Sequence, residues 1–157
     1  MKVKEYDRIF LEPSFREFED LYVDLRNNEQ RIYSDEEVAW LPDVDENHIH
    51  KKEWKIRKAS AEKLLQYLRH KKRPLKILEV GCGNGWLSCY LSQTHSWAVT
   101  GIDINWFELQ QAQRVFAAIP NLRFIYGDID SSLLEMEKFD VVVFAASIQY
   151  FPSLIVI

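Results

Sequence analysis

The chain has 157 residues, 47% of them hydrophobic, and a formal charge of −4 at pH 7. That is enough for one packed core and too little for two ordinary domains, and a mildly acidic chain lacks the electrostatic footprint of a nucleic-acid binder. No apolar run approaches membrane-spanning length and no basic start leads into an apolar segment, so a cytoplasmic protein without a membrane partner is expected. Cys82 and Cys89 make neither a disulfide framework nor a zinc set, which agrees with free thiols in that compartment.

Residues 1–72 carry helical patterns. Ser14 with Glu17 and Ser34 with Glu37 match the capping box, and Phe15, Phe18, Leu21, Tyr22 and Leu25 recur at helical spacing, which predicts a packed aromatic stripe. Leu41-Pro42-Asp43 is a break, followed by a longer helical pattern over residues 49–70 with Trp54, Ala61, Leu64, Leu65 and Leu68 on one stripe. His48, His50 and Glu53 have a poor spacing for a metal, because residues two apart on a helix point in different directions and HxH alone does not complete a coordination sphere, so no metal site is assigned.

Pro74 cannot continue a helix, and the apolar run from Leu75 to Val80 lacks strict alternation, as a parallel strand covered on both faces does. Gly81, Gly83 and Gly85 follow at once, and glycines at alternate positions between a strand and a helix form a cradle that lets a ligand lie against the backbone. A dinucleotide fingerprint would need a small residue at position 86, where this chain has Trp86. Glu79 also stands where a pyrophosphate would want positive charge, so a cationic or neutral nucleoside is favoured over NAD or ATP.

The chain continues with a short helix over residues 86–93 and a second strand, Ala98 to Ile102, that ends at Asp103. Asn105 caps a helix expected to run to Ile119 and stop at Pro120, and Leu122 to Tyr126 forms a third strand with Gly127-Asp128 at its end. A fourth strand spans Phe139 to Ala146. This alternation predicts an α/β fold with a mostly parallel sheet behind a helical N-terminal segment, residues 1–72 forming a cap or lid and residues 73–157 a ligand-binding domain. In such a sheet the ligand lies outside the carboxyl ends of the strands, and Glu79, Asp103 and Asp128 occupy three of those ends. Asp103 falls 22 residues after Gly81, about where an acidic residue accepts hydrogen bonds from a ribose.

EVGCGNG, VTGIDIN, RFIYGDID and FDVVVFAASIQYF, in this order and at these spacings, resemble four consecutive motifs of the class I S-adenosylmethionine-dependent methyltransferases. The resemblance covers residues 75–151 and implies a Rossmann-like fold, S-adenosylmethionine as cofactor and a small-molecule methyl acceptor. It also implies cofactor-binding roles for Glu79, Gly81, Cys82, Gly83 and Gly85 around the loop. Asp103 would hold the ribose hydroxyls and Ile104 pack on adenine. Asp128, with the Ile129 amide beside it, would receive the adenine amino group, and the Ala145 carbonyl would face the methionine amino group. The resemblance supplies no catalytic residue. Arg57 is a candidate for the cofactor's carboxylate, since the loop itself contains no basic residue.

Members of this family resemble seven-stranded sheets, so a chain ending soon after its fourth strand reads as an N-terminal portion. Two alternatives follow: a cofactor-binding partial domain without turnover, and a nicotinamide-dependent oxidoreductase, which Trp86 and the acidic rim disfavour. With no fifth strand, the fourth would be an apolar sheet edge, so a homo-oligomer through that edge is a further expectation, unless residues 153–157 fold back to cover it.

Overall fold

The computed structural model describes residues 14–129, 134 and 137–150, with side chains from residue 19 onward. The Ser14–Glu17 cap, the side chains of Phe15 and Phe18, and residues 153–157 lie outside the described residues. Three helices come first: α1 (Ser14–Asn28), α2 (Asp35–Trp40) and α3 (Lys51–Arg69). Then β1 (Lys76–Val80), α4 (Trp86–Ser92), β2 (Ala98–Asp103), α5 (Trp106–Phe116), β3 (Leu122–Tyr126) and β4 (Val141–Val143) alternate, with a short 3-10 turn at Ile148–Tyr150.

The four strands form one parallel sheet in the order β3-β2-β1-β4. β1 is buried on both faces. Ile77 meets a layer of Ala61, Leu65 and Leu68 from α3, Leu87 and Leu91 from α4, and Val99 from β2. On the other face, Leu78 and Val80 pack with Ile102 and Ile125, joined by Phe139 and Phe144. That two-sided burial is why the strand's sequence does not alternate. α3 therefore shares its core with β1, and the N-terminal segment is continuous with the sheet through it.

Local signals place most of the helix ends. Ser34 and Glu37 form the reciprocal capping box at α2, and Asn105 Oδ1 accepts from the Glu108 amide at α5. α5 ends at Phe116, three residues before the expected Ile119. His48 Nδ1 accepts from the His50 amide at 3.0 Å, and the His50 ring meets the Glu29 carbonyl at 2.9 Å. Glu53 turns away from both histidines to a bidentate pair with Arg31 at 2.9 and 2.6 Å.

Two expectations are corrected. Two members of the α1 stripe do not pack, Leu21 being 71% and Leu25 54% exposed, while Tyr22 of the same stripe faces the protein together with Glu19 and Arg26. Helical spacing identified one face but not which side of the helix meets the sheet. The fourth strand is also shorter than the eight residues read as one run, pairing with β1 only through Val141, Val142 and Val143. Asp140 fixes its start, donating its amide to the Lys76 carbonyl and accepting from the Lys76 amide at 2.7 Å. Its end is set by Ser147, whose hydroxyl donates to the Val80 carbonyl and pulls the chain across the top of β1, with Ala146 at φ 59°. Side-chain demands at both ends override the β propensity of Phe144.

Candidate functional site

A cavity of about 630 Å³ opens at the carboxyl ends of the strands, roofed by α1 and α3. Its floor gathers Glu79, Gly81, Cys82 and Gly83 from the end of β1 and the loop, Asp103 and Ile104 from β2, Asp128 and Ile129 beyond β3, and Ala145 beyond β4. Residues up to 66 positions apart in sequence are thus brought to one surface, because parallel strands present all their carboxyl ends on the same side. Gly85 is the exception. It does not line the cavity, and a β-carbon there would lie 2.6 Å from Phe124 Cζ and 2.9 Å from Ala112 Cβ. Gly85 is therefore needed for helix-to-sheet packing, a demand that looks the same in sequence as a ligand contact.

Gly81, Gly83 and Gly85 all have positive φ, between 52° and 77°. A side chain at Gly81 would collide with Ser147 Cβ at 2.5 Å, and one at Gly83 would press on Glu108 Oε2 at 3.1 Å. The loop is closed from below by Asp103, whose Oδ2 accepts from the Gly83 amide and whose Oδ1 accepts from the Asn105 amide, each at 2.7 Å. Desolvation raises the Asp103 pKa, while those amide hydrogen bonds work to lower it. Asp128 Oδ1 accepts from the Ile129 amide at 2.6 Å, so in this structure that amide is taken by its neighbour.

Glu79 is 3% exposed and accepts a hydrogen bond from the Ser88 hydroxyl on α4. Burial pushes its pKa up to about 8, the Ser88 bond opposing and the charge of Asp103 reinforcing the rise, so at neutral pH it is mostly the uncharged acid. The anionic rim expected from sequence is correspondingly weaker at this position. Burial also pushes the Cys82 thiol well above its ordinary value, which removes it as a nucleophile.

The roof adds further lining residues, of which sequence singled out only Arg57 as a ligand contact. Tyr22 and Arg26 of α1 line the cavity, with an Arg26 Nη2 bond to the Tyr22 hydroxyl, and Glu19 accepts from the Trp106 amide and the Tyr126 hydroxyl. Trp54 of α3 donates its indole N–H to the Tyr33 hydroxyl at 3.1 Å and meets Trp86 edge-on at 5.3 Å. Arg57 also faces the cavity, 5.0 Å over the Trp54 ring and paired with Glu53 through Nη2 at 2.7 Å. Glu108, in the first turn of α5, lines the wall nearest Gly83. Its sequence signal was concealed, since an acidic residue three positions after an Asn cap reads as ordinary helix-start chemistry.

A family model described as a methyltransferase domain matches residues 77–155, half of the chain. The chain belongs to this methyltransferase domain family. Its matched segment begins in β1 and includes the loop and all strand ends that floor the cavity. Among relatives, the domain is 32% identical over 114 residues to the malonyl-[acyl-carrier protein] O-methyltransferase of Halalkalibacterium halodurans, covering 66% of this chain and 39% of that protein. The chain thus spans about two fifths of the length of that relative. Among solved structures, the methyltransferase domain resembles magnesium protoporphyrin IX methyltransferase from Synechocystis PCC 6803. The SAM-bound form superposes with a TM-score of 0.62 at 20% identity, covering 92% of this chain and 67% of that one. The SAH-bound form gives 0.56 at 22% identity, covering 80% and 57%. At these identities the likeness is one of fold. No helix among the described residues is long and apolar enough to cross a membrane.

Proposed function

We propose that this chain binds S-adenosylmethionine in the cavity at the strand ends and forms the cofactor half of a methyltransferase acting on a small-molecule acceptor. The observation that carries the proposal is the convergence of Gly81, Gly83, Asp103, Ile104 and Asp128 on one cavity within the segment matched by the methyltransferase family. The donor set fits the ligand. Carboxyl acceptors stand on the floor at Asp103 and Asp128, while Asn105 Nδ2 is buried without a hydrogen-bond partner among the described residues. A nucleoside with hydroxyl, amino and ammonium donors satisfies such a floor, whereas a pyrophosphate would want bare amides, and Asp103 already holds the Gly83 amide.

When bound, the cofactor supplies a methyl group on a sulfonium, already activated for in-line displacement. Asp103 would hold the ribose and keep the loop closed, Ile104 would pack against adenine, and Asp128 would accept from the adenine amino group. The Ala145 carbonyl would accept from the methionine ammonium. α1 and α3 would exclude water above it, which strengthens each of these contacts. An acceptor that is already anionic needs no base from the protein, and none is assigned. The H. halodurans relative is named for an oxygen acceptor, which makes oxygen acceptors the first class to assay.

Cofactor binding without turnover is the second reading, favoured by the chain's spanning 39% of that relative's length. Cys82 and Cys89 are unpaired, which supports a cytoplasmic protein. Calorimetric titration with S-adenosylhomocysteine and, in parallel, NADH tests the proposal. Saturable binding of the first and none of the second is expected; the reverse would overturn it. Turnover assays with oxygen acceptors then separate the two readings.

A further inference from the structure

Glu108 faces the same cavity as Asp103 and has no part in the contacts assigned above. Its amide donates to Asn105 Oδ1, and its carboxyl turns back over the glycine loop, with Oε2 at 3.1 Å from where a Gly83 β-carbon would stand. Asp103 grips the same Gly83 through its amide at 2.7 Å. Two carboxyls therefore flank one loop residue at the cavity floor. Around Glu108 stand Tyr22 and Arg26 from α1, Arg57 from α3 and Asp103 from the end of β2. Arg26 is engaged by the Tyr22 hydroxyl and Glu29, and Arg57 by Glu53.

Asn105 adds an independent sign of a ligand. It is 2% exposed and lines the cavity, and its Nδ2 has no hydrogen-bond partner among the described residues. An unpaired buried amide is costly, and a site that keeps one is shaped for something else to fill. The cavity thus holds two carboxyl groups, Asp103 engaged by the Gly83 and Asn105 amides and Glu108 by the Tyr22 side chain, each with lone pairs to spare, and one unpaired amide donor. A vicinal diol is the complement of that set, because each hydroxyl donates one hydrogen bond and can accept others.

We infer that Glu108 is a second acceptor for the ribose hydroxyls of the bound nucleoside, opposite Asp103, with Asn105 Nδ2 donating to one of the same hydroxyl oxygens. The inference rests on the cofactor reading and adds to it a residue that selects ribose over deoxyribose. Electrostatics supports it. Burial, reinforced by the charge of Asp103, pushes the Glu108 pKa up to about 7, because two desolvated carboxyls side by side resist ionising together. Hydroxyl donors placed between them relieve that repulsion. Glu108 is mainly protonated at pH 6 and mainly ionised at pH 8, where a hydroxyl bound to it makes the stronger, charge-assisted bond.

The test compares S-adenosylhomocysteine with its 2′-deoxy and 3′-deoxy analogues by calorimetry, in the unmutated chain and in Glu108→Met. The unmutated chain is expected to prefer the ribose form by roughly tenfold or more, the weight of one hydrogen bond to a charged group. Glu108→Met should lose most of its preference against one of the two analogues while binding that analogue about as well as before, and Glu108→Gln, which keeps an acceptor oxygen, should fall between. A purely structural role would weaken all three ligands alike and leave the preference intact. The unmutated chain gives a second readout that does not depend on a variant's folding: the ribose preference should grow from pH 6 to pH 8. A preference unchanged in folded Glu108→Met, or flat with pH in the unmutated chain, overturns the assignment of Glu108 alone. Failure of the unmutated chain to bind any of the three ligands overturns the cofactor reading and this inference together.

Discussion

Asp103 Oδ2 accepts a 2.7 Å hydrogen bond from the Gly83 amide, tying the end of β2 to the loop that follows β1. The residue proposed to hold the ribose is therefore also the residue that shapes the loop beneath it. Asp103→Ala should weaken binding of S-adenosylhomocysteine by about 1.5 to 3 kcal/mol, the range for bonds to a charged group, and should also leave the Gly83 and Asn105 amides without their acceptor. Calorimetry reads the first effect and amide hydrogen exchange at Gly83 the second. Wild-type affinity in the variant would remove Asp103 from the ligand.

Two glycines of the loop should respond in opposite ways. Gly83→Val places a branched side chain on the cavity floor beside Glu108, at a φ of 52°, and is expected to abolish binding in a protein that still gives a folded circular dichroism spectrum. Gly85→Ala instead forces a methyl to within 2.6 Å of Phe124 at a φ of 77°, which should cost about 2 to 4 kcal/mol of stability. Urea melts of both variants, run beside binding titrations, distinguish the two roles; a Gly85→Ala protein as stable as the original would show that Phe124 and Ala112 can give way.

Arg57 lies on the cavity wall and is held there by Glu53 and the face of Trp54. We propose that this fixed guanidinium meets the carboxylate of the cofactor's methionine end. Arg57→Ala should lower affinity for S-adenosylhomocysteine about tenfold while leaving adenosine unaffected, since adenosine has no carboxylate. Equal losses for both ligands would reject the role.

The ligand-free protein should be less stable at pH 8 than at pH 5. Burial raises Glu79 to about 8 and Glu108 to about 7 from an ordinary 4.5, so the folded state holds these protons more tightly than the unfolded chain. As pH climbs from about 4.5, the unfolded chain releases its protons first and is favoured, and the loss levels off only as pH passes the folded-state value of about 8. Glu53, lowered to about 2 chiefly by its hydrogen bond to Arg31, acts in a separate window, its contribution lost as pH falls from about 4.5 towards 2. Thermal melts of Glu79→Gln should show a flatter slope between pH 5 and 8 and a gain of about 2 to 4 kcal/mol at pH 8. A slope identical to the original would mean that Glu79 ionises normally.

We propose that the chain self-associates through β4, which lies at one end of the described sheet with Val142 48% exposed. A three-residue edge is a weaker template than the eight-residue strand read from sequence, so the association is expected at high rather than low concentration. Val142→Lys should shift the protein towards monomer in light scattering over a concentration series, with cofactor affinity unchanged. A monomer at every concentration would mean that the edge is covered.

The succession of strands and helices along the chain, the loop and the acidic ends of β1 to β3 were legible in the sequence because each depends on local chemistry. Pro74 excludes helix, a doubly buried strand needs continuous apolar residues, Ser34 and Asn105 can cap only the residues just after them, and a parallel sheet sends every strand end to one side. Tertiary structure decided what each of those groups faces. Leu21 and Leu25 share a helical spacing with Tyr22, but whether that stripe meets core or solvent depends on how α1 lies over the cavity. Gly83 and Gly85 are two residues apart with the same sign of φ, yet one faces the cavity and the other faces Phe124, which approaches from β3. Glu108 became visible as a site residue only once α5 brought its carboxyl over Gly83 and beside Asp103, because a pKa near 7 comes from desolvation and a neighbouring charge, and both belong to the folded chain.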